Sequence, residues 1–178
     1  ERMNETPSID RDMAMIFKNG KLYPQMNIYD NLAFGLKLKE LPIGEIDARI
    51  AEVTQVLNIG HLLDKMTEDL DEKERALVVL GRAIVKKPKV FLLDEPFSSL
   101  SKELKKEMQE LLWSLYEKMQ ITVVYVTHNS EDIRHTDTRV AVMNDGSVQQ
   151  IGTIGELYDK PATPYVSEFL GVPAEEVC

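Results

Sequence analysis

The sequence predicts an α/β fold built on a mostly parallel sheet. Two β-branched apolar runs, Val90–Leu93 and Ile121–Thr127, read as interior strands, because strands covered on both faces carry near-continuous hydrophobic stretches. Between them, Leu104, Met108, Leu111, Leu112, Leu115 and Met119 recur at helical spacing from Ser101 onward. Strand, helix and strand imply a right-handed crossover between parallel neighbours.

The remaining elements follow in chain order. Met13–Phe17 is a short apolar run closed by Lys18-Asn19-Gly20, which reads as a buried strand ending in a turn. Asn27 is a suitable N-cap for a helix reaching Leu38, with Ile28, Leu32 and Leu36 near one face. From Glu45 to Leu57, Ile46, Ile50, Val53 and Leu57 form an amphipathic stripe, and Asn58-Ile59-Gly60 ends the helix. Asp71–Lys86 is apolar nearly all round from Ala76 onward, which predicts a helix buried on most sides. Arg139–Met143 and Ser147–Ile151 flank Asn144-Asp145-Gly146, a hairpin signal. Helices near Thr153–Asp159 and Thr163–Leu170 finish the chain. No repeat and no low-complexity tract interrupts it, so one compact unit is expected.

Composition narrows the function. The 178 residues are 43% hydrophobic and 29% charged, which is the range of a globular domain rather than a disordered chain. No apolar run is long enough to cross a membrane as a helix. The net charge of −9 removes the electrostatic footprint of a nucleic-acid binder and speaks against a large polyphosphate surface. A single cysteine, Cys178, leaves neither a disulfide framework nor a cysteine zinc site, and a cytoplasmic location is the default expectation. The chain begins Glu1-Arg2-Met3 with no signal sequence, and it is expected to have been cut from something longer.

Chemistry concentrates at strand ends. Phe91-Leu-Leu-Asp94-Glu95-Pro96 sets two adjacent carboxylates at the carboxyl end of a buried strand, where open α/β sheets bind ligands. In a nucleotide site the first carboxylate orients magnesium and the second polarises an attacking water; the plainer alternative is that both simply solvate the strand end. His128, in Tyr125-Val-Thr-His128, ends the next strand at the same sheet edge, and by itself would read as a satisfied polar residue. His61 and His135 lie in polar stretches without partners at ligand spacing, and Trp113 and Tyr116 are expected to flank the Leu/Met face of their helix.

On these residues, with Leu22-Tyr-Pro24, Asn31–Leu36, Gly81-Arg82-Ala83, Gly152 through Tyr158, and Pro161, the chain resembles the ATP-binding subunit of ABC transporters, nearest to the branch that imports maltose and other sugars. The resemblance covers nearly the whole chain. It implies an incomplete P-loop NTPase-type three-layer core with an ABC-type helical subdomain at about residues 25–85. The implied cofactors are ATP and Mg2+, and the implied partners are membrane permease subunits and a second nucleotide-binding subunit. Asp94 would orient magnesium, Glu95 would be the catalytic base, and His128 would contact the γ-phosphate. The location implied is cytoplasmic, at the inner face of the membrane.

The departures from that pattern are specific. No G-x-x-x-x-G-K-[ST] occurs in the 178 residues, and the regulatory β-rich domain of the sugar-importer branch is not found in them either. Lys18 stands where the family has a Gln that reaches magnesium; a cation cannot coordinate a cation, so Lys18 would either approach a phosphate or remain a solvated strand-end residue. The signature L-S-G-G-Q aligns with Leu70-Asp71-Glu72-Lys73-Glu74. There Asp71 and Glu74 are spaced as a capping box, so carboxylates would fill the N–H groups that otherwise receive phosphate. Ser101 replaces an Asp that communicates across the family's dimer, while still serving as an N-cap.

Three readings result: a segment of a sugar-importer ATPase, a non-catalytic module docking on a permease, or a fragment retained for its fold. Deficient ATP binding and hydrolysis are expected in each. Unpaired sheet edges with exposed apolar surface, low stability and association are expected from loss of the family's phosphate-loop strand.

Overall fold

The computed structural model describes residues 3–7, 10–18, 20–119, 121–133 and 138–172. His135 and Cys178 lie outside the described residues, as does Asn19 of the turn after the first strand. The chain divides into two compact units, Glu1–Val126 and Thr127–Cys178, which corrects the expectation of one. The reason is that the closing hairpin and two short helices bury a core of their own, Val142, Leu157, Val166 and Leu170, without any change of composition at the boundary.

The first unit carries a three-stranded parallel sheet in the order β1 (Met13–Ile16), β2 (Val90–Asp94), β3 (Thr122–Val126). Its register sets Met13 beside Val90 and Val90 beside Thr122. The central strand β2 buries Phe91 and Leu93. β3, read from sequence as an interior strand, is instead an edge among the described residues, with Val124 47% and Val126 50% exposed. Its β-branched run specifies an extended backbone but not how many neighbours pair with it. The opposite edge exposes Met13, Met15 and Phe17.

Three helices pack on one another, the last of them against β1. In α1 (Ile28–Lys37) the Asn27 Oδ1 accepts the Asp30 N–H at 2.8 Å, and Ile28, Leu32 and Leu36 are buried. Asn31 is also fully buried, although a polar residue inside a helix ordinarily faces water. Its amide accepts from Tyr23 N at 2.8 Å and donates to the carbonyls of Tyr23, Met26 and Asn27 at 3.1, 3.1 and 3.0 Å. One side chain therefore ties the segment following β1 onto α1. In α2 (Ile43–Leu57) the first turn starts two residues before the expected Glu45, directly after Pro42. Asn58, not Gly60, takes the left-handed cap, at φ 54°. Tyr29 Oη donates to Asp47 Oδ1 at 2.5 Å, joining α1 to α2, and this bond together with burial pushes the phenol up to about 12.

In α3 (Glu72–Ile84) the buried side chains are confined to Val78 and beyond, so the first turn is solvated and the end is core. Gly81 sits where α1, α2 and α3 converge: a Cβ there would lie 3.2 Å from Leu57 Cδ1 and 3.3 Å from Leu32 Cδ2. α4 (Lys102–Met119) provides the crossover and buries Met108, Leu112 and Leu115. Trp113 meets Tyr116 edge-on at 6.3 Å and Tyr125 of β3 at 5.8 Å.

The second unit is an antiparallel hairpin, β4 (Arg139–Asn144) and β5 (Ser147–Thr153), followed by α5 (Ile154–Asp159) and α6 (Pro164–Leu170). Asp145 and Gly146 adopt φ 46° and 73°, the two positive angles that a two-residue hairpin turn requires. Thr153 and Thr163 cap the helices through Glu156 N and Val166 N. Among the described residues no helix is long and apolar enough to cross a membrane.

Candidate functional site

The end of β2 is a constrained turn. Asp94 closes the strand opposite Val126, and Glu95 follows with φ 47°, in the left-handed region. A non-glycine residue pays about 1–2 kcal/mol to sit there. Hydrogen bonds enforce it: Glu95 N donates to Val126 O at 2.9 Å, and Glu95 O accepts from Ser98 N at 3.2 Å and Ser98 Oγ at 3.0 Å. Backbone strain of this kind is concentrated at functional sites, where surrounding contacts over-determine it.

Lys18 extends from the end of β1 and its Nζ donates to Glu95 Oε2 at 2.6 Å. The Lys18 side chain remains 56% exposed against 21% for Glu95, so solvent screens the pair and its worth is about 1 kcal/mol or less. The expected exposure of Lys18 is present, but so is a partner 77 residues away in sequence. That matters chemically rather than energetically. An ammonium has three donors and no lone pair, so it cannot join Asp94 in holding a magnesium ion, which takes oxygen ligands. It also occupies the Glu95 Oε2 atom.

The start of α3 forms a second cluster. Asp71 Oδ1 accepts Glu74 N at 2.7 Å, and Glu74 Oε2 accepts Asp71 N at 3.0 Å, which is the reciprocal capping box expected from the spacing. Glu74 Oε1 also receives Lys65 Nζ at 3.0 Å and lies 4.0 Å from His61 Nε2. His61, read from sequence as without partners at ligand spacing, is brought near Glu74 by a turn between α2 and α3 that no local pattern shows. Lys73 pairs with Glu107 of α4, while Glu72 stays exposed in the first turn. Carboxylates thus take the Glu74 N–H of the first turn and the N–H of the cap residue.

The Asp71 backbone N–H, then Lys65, hold the Glu74 carboxyl below its ordinary value. A depressed carboxyl stabilises the fold at pH values above its unfolded pKa of about 4.3, and the contribution disappears as pH falls through the folded value. The gap in urea midpoint between the parent chain and Glu74→Ala should therefore be full at neutral pH and shrink on acidification below about pH 4. Asp71→Ala, which removes the cap itself, should cost about 1 kcal/mol at pH 7 in the same measurement.

Ser101 caps α4, its Oγ accepting Leu104 N at 3.3 Å. His128 belongs to the second unit and is exposed, in a loop organised by Thr127: Thr127 Oγ1 donates to Asp132 Oδ2 at 2.6 Å and accepts Asn129 N at 3.0 Å. Among the described residues no group of three or more His, Cys, Asp or Glu side chains could hold a metal ion. The structure thus brings together Lys18 with Glu95 and Asp71 with Glu74. Lys65 was missed by sequence reasoning, since a lysine among surface charges carries no signal; Asn31 entered only as the first residue of the Asn31–Leu36 match, which says nothing of its burial or its hydrogen bonds.

Residues 1–98 match the family model described as ABC transporter. The chain is 46% identical over 167 residues to the trehalose/maltose import ATP-binding protein MalK of Thermococcus litoralis, covering 94% of this chain and 45% of that protein. It is 42% identical over 174 residues to the oligosaccharides import ATP-binding protein MsmX of Bacillus subtilis, covering 98% and 48%. The chain spans about half the length of the curated relatives it matches. In three dimensions it is similar to CbiO1 from Clostridium perfringens, part of the ABC transporter complex CbiONQ, with a TM-score of 0.74 at 28% identity over 83% of this chain and 59% of that one.

Proposed function

Because the chain belongs to the ABC transporter family, with the α/β fold of a P-loop NTPase, we propose that it is the carboxylate-bearing part of a carbohydrate importer's ATP-binding subunit, and that its own centre does not turn over ATP. The observation that carries this reading is the Lys18–Glu95 ion pair at 2.6 Å. Glu95 occupies the position of the catalytic base, Asp94 that of the magnesium-orienting carboxylate, and Lys18 adds to Glu95 a charge of the sign that repels a metal ion. The capped start of α3 supports the same conclusion from the other half of the site, since Asp71, Glu72 and Glu74 repel the triphosphate that Mg-ATP would present. His128 and Ser101 hold positions whose family roles depend on a bound nucleotide and on a second subunit. Within the family such a subunit works at the inner face of the membrane against permease subunits.

The test is phosphate release from Mg-ATP by the subunit as its gene encodes it, alongside Glu95→Gln. The expected result is no release that Glu95→Gln diminishes. Turnover that Glu95→Gln abolishes would refute the proposal.

A second reading, a non-catalytic module that receives a short helix of a membrane subunit, is favoured by Leu38 and Ile43. They are 56% and 62% exposed at the junction of α1 and α2, inside the proposed helical subdomain at about residues 25–85. Large apolar side chains left in water at neighbouring positions mark an interaction surface. If this reading holds, Leu38→Asp together with Ile43→Asp leaves folding intact and abolishes co-purification with the permease.

A further inference from the structure

Between β1 and α3 lies a cavity of about 380 Å³, within the size range of small-molecule sites. Ala14, Ile16 and Val79 provide apolar wall, and Lys21, Arg82 and Lys86 contribute three cations; among the described residues no carboxylate lines it. That composition runs against the whole chain, which has 30 acidic residues to 21 Lys and Arg. Elsewhere lysines find acids readily: Lys39 and Lys89 both lie 3.3 Å from Asp12.

Arg82 has one guanidinium nitrogen, Nη1, sealed from solvent with no hydrogen-bond partner among the described residues. Its one neighbouring charge acceptor is the face of Tyr23, 5.2 Å away. Lys86 reaches the cavity by laying its stem across Gly35 of α1, where a Cβ would stand 2.6 Å from Lys86 Cε and 3.3 Å from Nζ. Burial weakens the proton affinity of both groups, and Lys86 is lowered further by the Arg82 and Lys39 charges. A guanidinium nitrogen sealed from water without a partner is costly, and a cavity that sets it beside a second cation is short of an anion. Lys86 remains exposed, so the route in from solvent is open.

We propose that this cavity binds a small organic anion, with its carboxylate or phosphate head on Arg82 and Lys86 and its uncharged body against Ala14, Ile16 and Val79. The site is distinct from the β2 end and from the α3 start, since none of Lys18, Asp94, Glu95, Asp71 and Glu74 is among the residues lining it.

The experiment is calorimetric titration of the subunit as its gene encodes it with butyl phosphate, butyrate, inorganic phosphate and butanol. Butyl phosphate is expected to bind one to one and at least about tenfold more tightly than inorganic phosphate, because the apolar wall adds to the charge. Butanol should give no heat, and the ranking of butyrate against butyl phosphate identifies the preferred head group. Lys86→Gln should weaken butyl phosphate about tenfold with an unchanged thermal transition. Gly35→Ala keeps both charges but displaces the Lys86 arm, and should weaken binding in the same direction. No heat with either organic anion, or an affinity indifferent to Lys86→Gln, overturns the proposal. Absence of anion binding in a chain that sediments as an oligomer would likewise overturn it, in favour of a polypeptide covering this face.

Discussion

Asn31→Leu should destabilise the first unit by roughly 2–4 kcal/mol, lowering its thermal midpoint by on the order of 10 °C. Leucine has the same number and branching of side-chain heavy atoms as asparagine, so no void opens and the loss would come chiefly from hydrogen bonds. The substitution strands the Tyr23 N–H and the Met26 carbonyl, held by the Asn31 amide at 2.8 and 3.1 Å, and takes one of two donors from the Tyr23 carbonyl, which keeps Met26 N. Groups left without a partner in a protein interior cost their full desolvation, more than the bond would contribute if both members were removed. Trp113 is the only tryptophan, and its contacts with Tyr116 and Tyr125 make its fluorescence a direct reporter of this unit's unfolding. A midpoint within about 2 °C of the parent, the scale of a surface substitution, would show that Asn31 does not anchor the segment. That segment follows Lys18 in the chain, so the anchoring of residues 23–27 to α1 also bears on how firmly the ammonium is presented to Glu95.

The second large effect is expected at Gly81. Gly81→Ile should cost about 2 kcal/mol or more, because the added branches would enter a space bounded at 3.2–3.3 Å by Leu57 and Leu32. Gly81→Ala should be near neutral. A single methyl meets the ends of two flexible leucines, which yield by a few tenths of an ångström, and alanine recovers about 1 kcal/mol of helix propensity. Urea unfolding of both variants separates the two effects. If the two variants lost stability equally, close approach of the three helices would not be what requires glycine. The point bears on function through α1–α2, since any rearrangement at Gly81 would displace the Leu38–Ile43 surface.

Features governed by neighbours in sequence were legible in advance. Asn27, Asp71, Ser101, Thr153 and Thr163 announced helix starts because a cap is a contact across three residues, and Asp145-Gly146 announced its turn because positive φ is a property of the residue itself. Parallel pairing was legible too, since the helical spacing from Leu104 to Met119 leaves the two flanking strands little alternative. What escaped depends on residues far apart. β3 carries the composition of an interior strand, yet its partner count is decided by other segments. His61 and Lys65 meet Glu74 only once the α2–α3 connection has folded. The candidate site divides along the same line: Asp94 and Glu95 were visible as a pair at a strand end, whereas the left-handed backbone at Glu95 and its ammonium partner were not.

The Lys18–Glu95 pair has a genetic consequence. Lysine and glutamine codons differ by one base, so at position 18 the family's residue is a single point mutation away. The α3 start is different: Asp71, Glu72, Lys73 and Glu74 would all have to change to regain the glycine-bearing signature. If the centre is silent, as proposed, reversion is therefore gated at α3 and not at β1. A lineage could exchange lysine and glutamine at position 18 freely, without any return of ATP turnover, for as long as the capping box persists.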